Sequence, residues 1–464
     1  MRMEDTICAL STPQGMGAIA VIRISGEKAI PVFEEIFAPF SARHHPAKAE
    51  GYRNLFGKIR DGGKTIDEVM ASLFRAPRSY TGEDVVEISC HGSVFIQEQV
   101  IRLLLSKGIR MADPGEYTLR AYINGKMDLS QAEAVADLIA SENEAAHQVA
   151  MQQMRGGFSE EIRELRSELI NFASLIELEI DFGEEDVEFA NRDELRQLIE
   201  RIQKVIRRLL ESFDTGNVIK NGVPVAIVGA PNAGKSTLLN ALLNEERAIV
   251  TEVAGTTRDA IEDEINLGGV KFRFIDTAGI RETEDKVESL GIARTFEKIA
   301  QSRLVLYLFN AQTLQSDPQL IHSEIAPLKE KTEGKTLLVL PNKIDLLADP
   351  TELREIAGGD RIIPISALQK TGIDDLIESL KEEVNLSALN SNQTVVTNAR
   401  HYHALKESLE DILRVEEGMD QGISGDLLAL DIREAFRHLG AIIGEVDIDQ
   451  DILGNIFGKF CIGK

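Results

Sequence analysis

Apolar positions change their spacing along this 464-residue chain. Up to about residue 120 they come in short runs broken by Gly and Pro. Residues 18–24 (AIAVIRI) are apolar and β-branched, and 85–88 are similar, so this stretch predicts an α+β domain. From Ser130 the spacing turns helical. Ser130 with Glu133 reads as a capping box opening a long helix. Leu165, Leu169, Phe172, Leu175 and Ile176 recur at helical intervals, and a second helical stretch covers 194–213. Thr215-Gly216 reads as a break. Beyond it, a short buried strand is predicted at 225–228, with others at 270–275, 304–309, 336–340 and 361–365. Helical patterns separate the later ones, which marks a parallel α/β unit ending near Glu383. A polar linker over 385–398 leads to further helical pattern. The expected organisation is therefore multidomain, α/β and α. An N-terminal α+β domain spans 1–120 and a helical domain 121–215. An inserted Ras-like P-loop α/β domain spans 216–383, and the helical domain resumes over 384–464.

Composition narrows the class. At this length a single core is not expected. The three cysteines, Cys8, Cys90 and Cys461, are scattered, which suits a reducing cytoplasm rather than a disulfide framework or zinc site. No apolar run reaches spanning length and the N-terminus lacks a signal-peptide pattern, so no membrane anchor is expected. The net charge of −25 excludes a generally basic nucleic-acid-binding surface. Any RNA contact must use a local basic patch or a partner's surface.

The candidate chemistry lies in the α/β unit. Gly229-Ala-Pro-Asn-Ala-Gly234-Lys235-Ser236-Thr237 fits the phosphate-loop pattern. Its glycines let backbone N–H groups face phosphates, its Lys neutralises the β and γ groups, and its Ser offers a hydroxyl to Mg2+. Asn342-Lys343-Ile344-Asp345 supplies a carboxylate for the N1–H and N2–H2 donors of guanine, an edge adenine lacks. Together the two motifs indicate GTP. Gly255-Thr256-Thr257-Arg258-Asp259 contains a Thr suited to completing the Mg2+ shell. Asp276-Thr277-Ala278-Gly279 would hold a Mg2+-bound water and meet the γ-phosphate, and Ser366-Ala367-Leu368 would support the base. Ile280 stands where Ras-type enzymes keep a water-orienting Gln nearby, so hydrolysis needs a replacement.

The chain resembles the MnmE (TrmE) family of tRNA-modification GTPases over essentially its whole length. The resemblance is carried by Val21-Ile-Arg-Ile-Ser-Gly26, Tyr80-Thr-Gly-Glu-Asp-Val-Val-Glu87, Pro114-Gly-Glu116, Asn124-Gly-Lys126, Gly255-Thr-Thr-Arg-Asp259 and the terminal Cys461-Ile-Gly-Lys464. It implies a cytoplasmic homodimer formed through the N-terminal domain, which binds a tetrahydrofolate derivative, 5,10-methylene or 5-formyl. It implies work on C5 of the wobble uridine of certain tRNAs, leaving an aminomethyl or carboxymethylaminomethyl group. The FAD-dependent partner would be MnmG, in a heterotetramer or larger complex. It implies K+-stimulated GTP hydrolysis, with nucleotide contacts at Asn232, Ala233, Gly234, Lys235, Ser236 and Thr237. Further contacts would come from Thr251, Glu252, Val253, Ala254, Gly255, Thr256 and Thr257, from Asp276, Thr277, Ala278 and Gly279, and from Asn342, Lys343, Asp345, Ser366, Ala367 and Leu368. Mg2+ would sit on Ser236 and Thr257. K+ would take the Asn232 side chain and the carbonyls of Thr251, Val253 and Thr256. Glu288 would orient water, and Arg23, Glu87, Lys126 and Lys464 would form the folate site.

Several weaker patterns point elsewhere. Residues 447–451 resemble the start of a calcium loop, but Ile452 and Gly458 occupy the required Gly and Glu positions. Gly422-Ile-Ser-Gly425 matches a KH-type loop but is flanked by Asp420 and Asp426, so it reads as a turn. His401-x-His403 reads as a helix surface. Cys461 lacks a fitting prenylation context. Lys204, Arg207 and Arg208 form a small basic cluster that could touch tRNA, with a solvated helix face as the default reading. The competing functions are a ribosome-assembly GTPase, disfavoured by the absence of a basic RNA-binding domain, and a nucleotide-holding scaffold without turnover.

Overall fold

The computed structural model describes residues 5–41, 45–46, 52–181, 192–246, 263–275, 299–313, 325–330, 332, 334–347, 361–383, 394–445, 453, 456–458, 460 and 463. The N-terminal portion builds a seven-stranded sheet in the order β3-β4-β5-β6-β2-β1-β7. Its strands are β1 (Ile7–Leu10), β2 (Ile19–Ser25), β3 (Phe37–Pro39), β4 (Arg53–Asp61), β5 (Lys64–Phe74), β6 (Val85–His91) and β7 (Arg110–Met111). Helices α1 (Ala29–Ile36), α2 (Val94–Ser106) and α3 (Glu116–Ile123) belong to the same portion. The core joins Ile22, Ile24, Val86 and Ile88 of the central strands to Phe33 of α1 and Val100 and Leu104 of α2.

The expected single long helix from Ser130 is instead three: α4 (Leu129–Ala140), α5 (Glu144–Met154) and α6 (Gly157–Asp181). The capping box is also displaced. Asp128 Oδ1 accepts the Gln131 N–H at 2.9 Å and Gln131 Oε1 accepts the Asp128 N–H at 3.0 Å. A carboxylate at a helix start satisfies orphan N–H groups and the positive dipole end together. Ser130 lies inside α4 and turns its hydroxyl to Asp128 and to Ser159. On α6, Leu165, Leu169, Phe172 and Ile176 are buried as the periodicity requires, whereas Leu175 is exposed.

Helix α7 (Arg192–Asn221) passes straight through Thr215-Gly216. Gly216 marks a close approach rather than a break, because a Cβ there would lie 2.1 Å from the Val396 carbonyl oxygen. Strands β8 (Val223–Val228), β9 (Asp263–Leu267), β10 (Val270–Phe274), β11 (Leu304–Asn310), β12 (Thr336–Asn342) and β13 (Arg361–Ile362) form a second sheet, ordered β13-β12-β11-β8-β10-β9. All pairs are parallel except β9–β10, an antiparallel hairpin that the sequence patterns missed. The strand expected over 361–365 is confined to its first two residues. Helices α8 (Lys235–Glu246) and α9 (Ile373–Glu383) pack into its core through Leu238, Leu242, Leu376 and Leu380. The central strand β11 is buried from Leu304 to Phe309 and paired on both edges, as a doubly covered parallel strand must be.

Helices α10 (Ala399–Asp420) and α11 (Gly425–Ile443) complete the described chain, and the 422–425 segment between them is a turn. His401 is buried, contrary to the helix-surface reading, while His403 is exposed. The chain divides into two compact units. One comprises Met1–Ala136, Gln153–Asn191 and Glu417–Lys464; the other comprises Asp137–Gln152 and Arg192–Glu416. In the first, α6 packs along α11. In the second, α7 carries the nucleotide-fold sheet and packs on α10 through Phe213 and Tyr402, ring centroids 4.5 Å apart. Residues 446–452, which hold the calcium-like pattern, and Cys461 lie outside the described residues.

Candidate functional site

Strand β8 is buried along almost its whole length and delivers the chain to Gly229 at the carboxyl edge of the sheet. Only glycine fits there, since a Cβ would meet the Leu308 carbonyl oxygen at 1.9 Å. Asn232 then takes a left-handed conformation, φ 62°, which Asn tolerates better than most residues. Gly234 follows at φ 103°, and α8 starts at Lys235. The early N–H groups of α8 have no intrahelical partner, so the loop and helix start form an anion-binding end. Lys235 Nζ donates to the carbonyls of Gly229 at 2.7 Å and Ala230 at 2.9 Å, folded across the loop. Ser236 and Thr237 are exposed on the first turn, and Ala233 is buried beneath them.

The second motif is tied to the first. Asn342 ends β12 and is buried; its Nδ2 donates to the Ala233 carbonyl at 2.8 Å and its Oδ1 accepts the Ala367 N–H at 3.0 Å. One side chain thus links the phosphate loop to the Ser366-Ala367-Leu368 segment. Lys343 adopts φ 64° and turns the chain into the short 3-10 turn that carries Asp345. Asp345 Oδ1 accepts the Ser366 hydroxyl proton at 2.6 Å. Ser366 is itself held, accepting the Gln369 N–H at 3.2 Å and bridging to Thr371 through backbone bonds. The arrangement orients the carboxylate and leaves Oδ2 to accept from a ligand. Leu368 projects into solvent, 79% exposed. Thr251, Glu252, Val253, Ala254, Gly255, Thr256, Thr257, Asp276, Thr277, Ala278, Gly279 and Glu288 lie outside the described residues.

A second cluster stands in the N-terminal sheet. Arg23 and Glu87 are direct cross-strand partners on β2 and β6. Arg23 Nε and a terminal nitrogen reach Glu87 Oε1 at 2.9 and 2.8 Å, and another terminal nitrogen reaches the Gly463 carbonyl at 3.4 Å. Ser11 donates to the same carbonyl at 3.2 Å, so the end of the chain is docked here. The Arg23 guanidinium also faces the rings of Tyr80 and Tyr117, 5.5 and 5.4 Å from their centroids. The Tyr117 hydroxyl donates to the Arg23 carbonyl at 2.8 Å. Burial pushes both phenols above their ordinary pKa, so they act here as neutral rings and hydrogen-bonding groups. Lys126 donates to the Pro77 carbonyl at 3.0 Å, and no direct contact joins it to Arg23 or Glu87 among the described residues. Lys464 lies outside them. The two tyrosines were missed as partners of Arg23, although Tyr80 opens one of the motifs quoted above and Tyr117 directly follows another.

The parallel sheet, the glycine-lined loop at its carboxyl edge and the linked Asn342–Asp345 motif define a P-loop GTPase. The family description "GTP-binding protein TrmE N-terminus" matches residues 6–126, and "MnmE helical domain" matches residues 129–461. Full-length relatives, each called tRNA modification GTPase MnmE, are similar throughout. The one from Christiangramia forsetii is 58% identical and covers 100% of both chains. That from Flavobacterium johnsoniae is 56% identical over 99% of each, and that from Bacteroides fragilis strain ATCC 25285 is 54% identical over 99% of this chain and 100% of its own. Among solved structures, the FeoB G-domain from Methanococcus jannaschii is 27% identical over 34% of this chain and 96% of its own, with a TM-score of 0.25. The chain belongs to the MnmE (TrmE) family.

Proposed function

We propose that this protein hydrolyses GTP in the course of modifying C5 of the wobble uridine of certain tRNAs. The observation that carries the nucleotide choice is the Asp345 carboxylate, held by Ser366 and joined through Asn342 to the phosphate loop. Its free oxygen suits the paired donors of guanine. Lys235 would exchange its loop carbonyls for the β- and γ-phosphates, and the α8 N–H groups would receive the same charge.

Ser236, exposed on the first turn of α8, and Thr257 would hold Mg2+. Asn232, exposed and left-handed on the loop, would give its neutral side-chain oxygen to K+ together with the carbonyls of Thr251, Val253 and Thr256. When bound, these cations supply positive charge at the phosphates, in the K+ case the charge an arginine finger supplies elsewhere. Glu288 would orient the attacking water, a task Ile280 cannot perform.

In the N-terminal unit, Glu87 has one oxygen committed to Arg23 and the other available to pterin N–H donors, which fits a tetrahydrofolate derivative. Lys126 and Lys464 would face its carboxylates, with Arg23 holding the pocket together. A bound folate of this kind carries the one-carbon unit. A cytoplasmic homodimer working with the FAD-dependent partner MnmG completes the reading. Nucleoside analysis of tRNA from cells lacking this protein tests it. Loss of the C5 substituent from wobble uridine is expected, and an unchanged wobble uridine overturns it.

A further inference from the structure

One stretch of the outward face of α7 reverses the charge of the rest of the molecule, between the exposed acids Asp193 and Glu194 before it and Glu211 and Asp214 after it. Against a net charge of −25, residues 196–208 contain Arg196, Arg201, Lys204, Arg207 and Arg208, opposed by Glu200 alone. The inward face is set by Leu195, Ile199, Ile202, Ile206 and Leu209, each at most 1% exposed. At 3.6 residues per turn, Lys204 stands opposite that apolar stripe. Arg201, Arg207 and Arg208 lie three or four residues from it, as surface neighbours. All four are exposed. Lys204 and Arg207 make no ion pair or hydrogen bond among the described residues. The basic residues from Arg196 to Arg208 span about 18 Å along the helix.

Exposed cations of this kind add little to the stability of a fold. Their grouping on one face has a clearer electrostatic consequence. A polyanion is repelled by a generally acidic surface and is directed to the patch where the sign reverses. We propose that this face of α7, centred on Lys204 and Arg207, docks the phosphate backbone of the tRNA substrate; the proposal rests on the tRNA-modification reading above. Phosphate contacts position an RNA without reading its sequence, so one such face serves different tRNAs alike and leaves the choice of nucleotide to another site.

The test uses the full-length protein and fluorescently labelled, unmodified tRNA, titrated at several KCl concentrations. The variant Lys204→Glu/Arg207→Glu is compared with Arg102→Glu/Lys107→Glu, on α2 and at its C-terminal cap, which changes the net charge equally at exposed positions elsewhere. The α7 variant is expected to bind at least about tenfold more weakly at low salt, with a log K against log salt slope shallower by about two. The control should stay close to wild type, and GTP turnover without RNA should be unchanged in both. The milder Lys204→Gln/Arg207→Gln pair should show the same direction with a smaller loss. Wild-type affinity and slope in the α7 variants overturn the proposal. An equal loss in both glutamate variants also overturns it, because net charge alone then explains the effect. A wild-type protein that binds no tRNA removes the docking face, while the wobble-uridine analysis decides the functional reading separately. An acidic protein that competes for the face while tRNA does not likewise sinks it.

Discussion

At the scale of single residues, the proposed recognition of the base would depend on one carboxylate and one hydroxyl. Ser366 donates to Asp345 Oδ1 at 2.6 Å, which would leave the other oxygen to accept from guanine. Replacing Asp345 with Asn places an amide donor against the guanine donors, a loss of about 1–3 kcal/mol. Asp345→Asn should therefore bind GTP roughly tenfold more weakly or worse, and should gain affinity for xanthosine triphosphate, whose edge presents an acceptor. Isothermal titration with both nucleotides measures this; unaltered GTP affinity rejects the base-site assignment. Arg23 shows a different economy. Its guanidinium is engaged by Glu87, the Gly463 carbonyl and two tyrosine faces at once, so it organises the cluster as well as charging it.

At the scale of elements, Gly216 sets two effects against each other. Alanine in the interior of a helix is favoured over glycine by about 1 kcal/mol. Here the added Cβ would stand 2.1 Å from the Val396 carbonyl oxygen and 2.8 Å from its carbon, both backbone atoms. The segment also donates the Val396 N–H to the Ser212 hydroxyl at 3.0 Å, so moving it breaks a second tie to α7. Overpacking against backbone costs about 1–3 kcal/mol, and it should win. Gly216→Ala is expected to lower the thermal midpoint of the protein; a raised midpoint in calorimetry shows that helix propensity governs the position instead.

At the scale of the whole molecule, acid sensitivity can be traced to an ion network in the N-terminal unit. Glu116, buried in the N-terminal unit, receives Arg110 at 2.7 Å and the fully buried Arg120 at 2.9 Å, while Arg120 also reaches Glu83 at 3.0 Å. Burial alone would raise the Glu116 carboxyl, but hydrogen bonds from Arg110, the Asp113 N–H and Arg120 together hold it below the ordinary carboxylate value of 4.5. A carboxyl depressed in the folded state contributes stability that is present above its unfolded pKa. That contribution is lost as pH falls through the folded value. Glu116→Gln should lower the thermal midpoint at pH 7, because two guanidinium groups lose their shared counter-charge. It should also narrow the gap between midpoints measured at pH 7 and below pH 4.5. An undiminished gap would place the acid sensitivity elsewhere.

The local order of the chain determined much of this protein by itself. The phosphate loop, the Asn342–Asp345 motif, the parallel strands β8, β11 and β12 and the apolar spacing of α6 and α7 are all visible without a partner, because glycine spacing, carboxylate chemistry and local periodicity act over a few neighbouring residues. Other features required the fold. Ser130 with Glu133 satisfies the capping pattern as well as Asp128 with Gln131 does on paper, yet Ser130 is drawn into α4 and toward Ser159. Gly216 is indistinguishable in sequence from a helix breaker until Val396 is brought against it. His401 and Leu175 exchange their expected environments because burial depends on which helix lies alongside. Strand β9 exists through its pairing with β10, and Tyr80 and Tyr117 meet Arg23 only when β2, α3 and the loop before β6 converge. The chemistry of a side chain is carried by its own atoms, whereas its burial and its partners are supplied by residues distant in sequence, and only the tertiary structure brings those together.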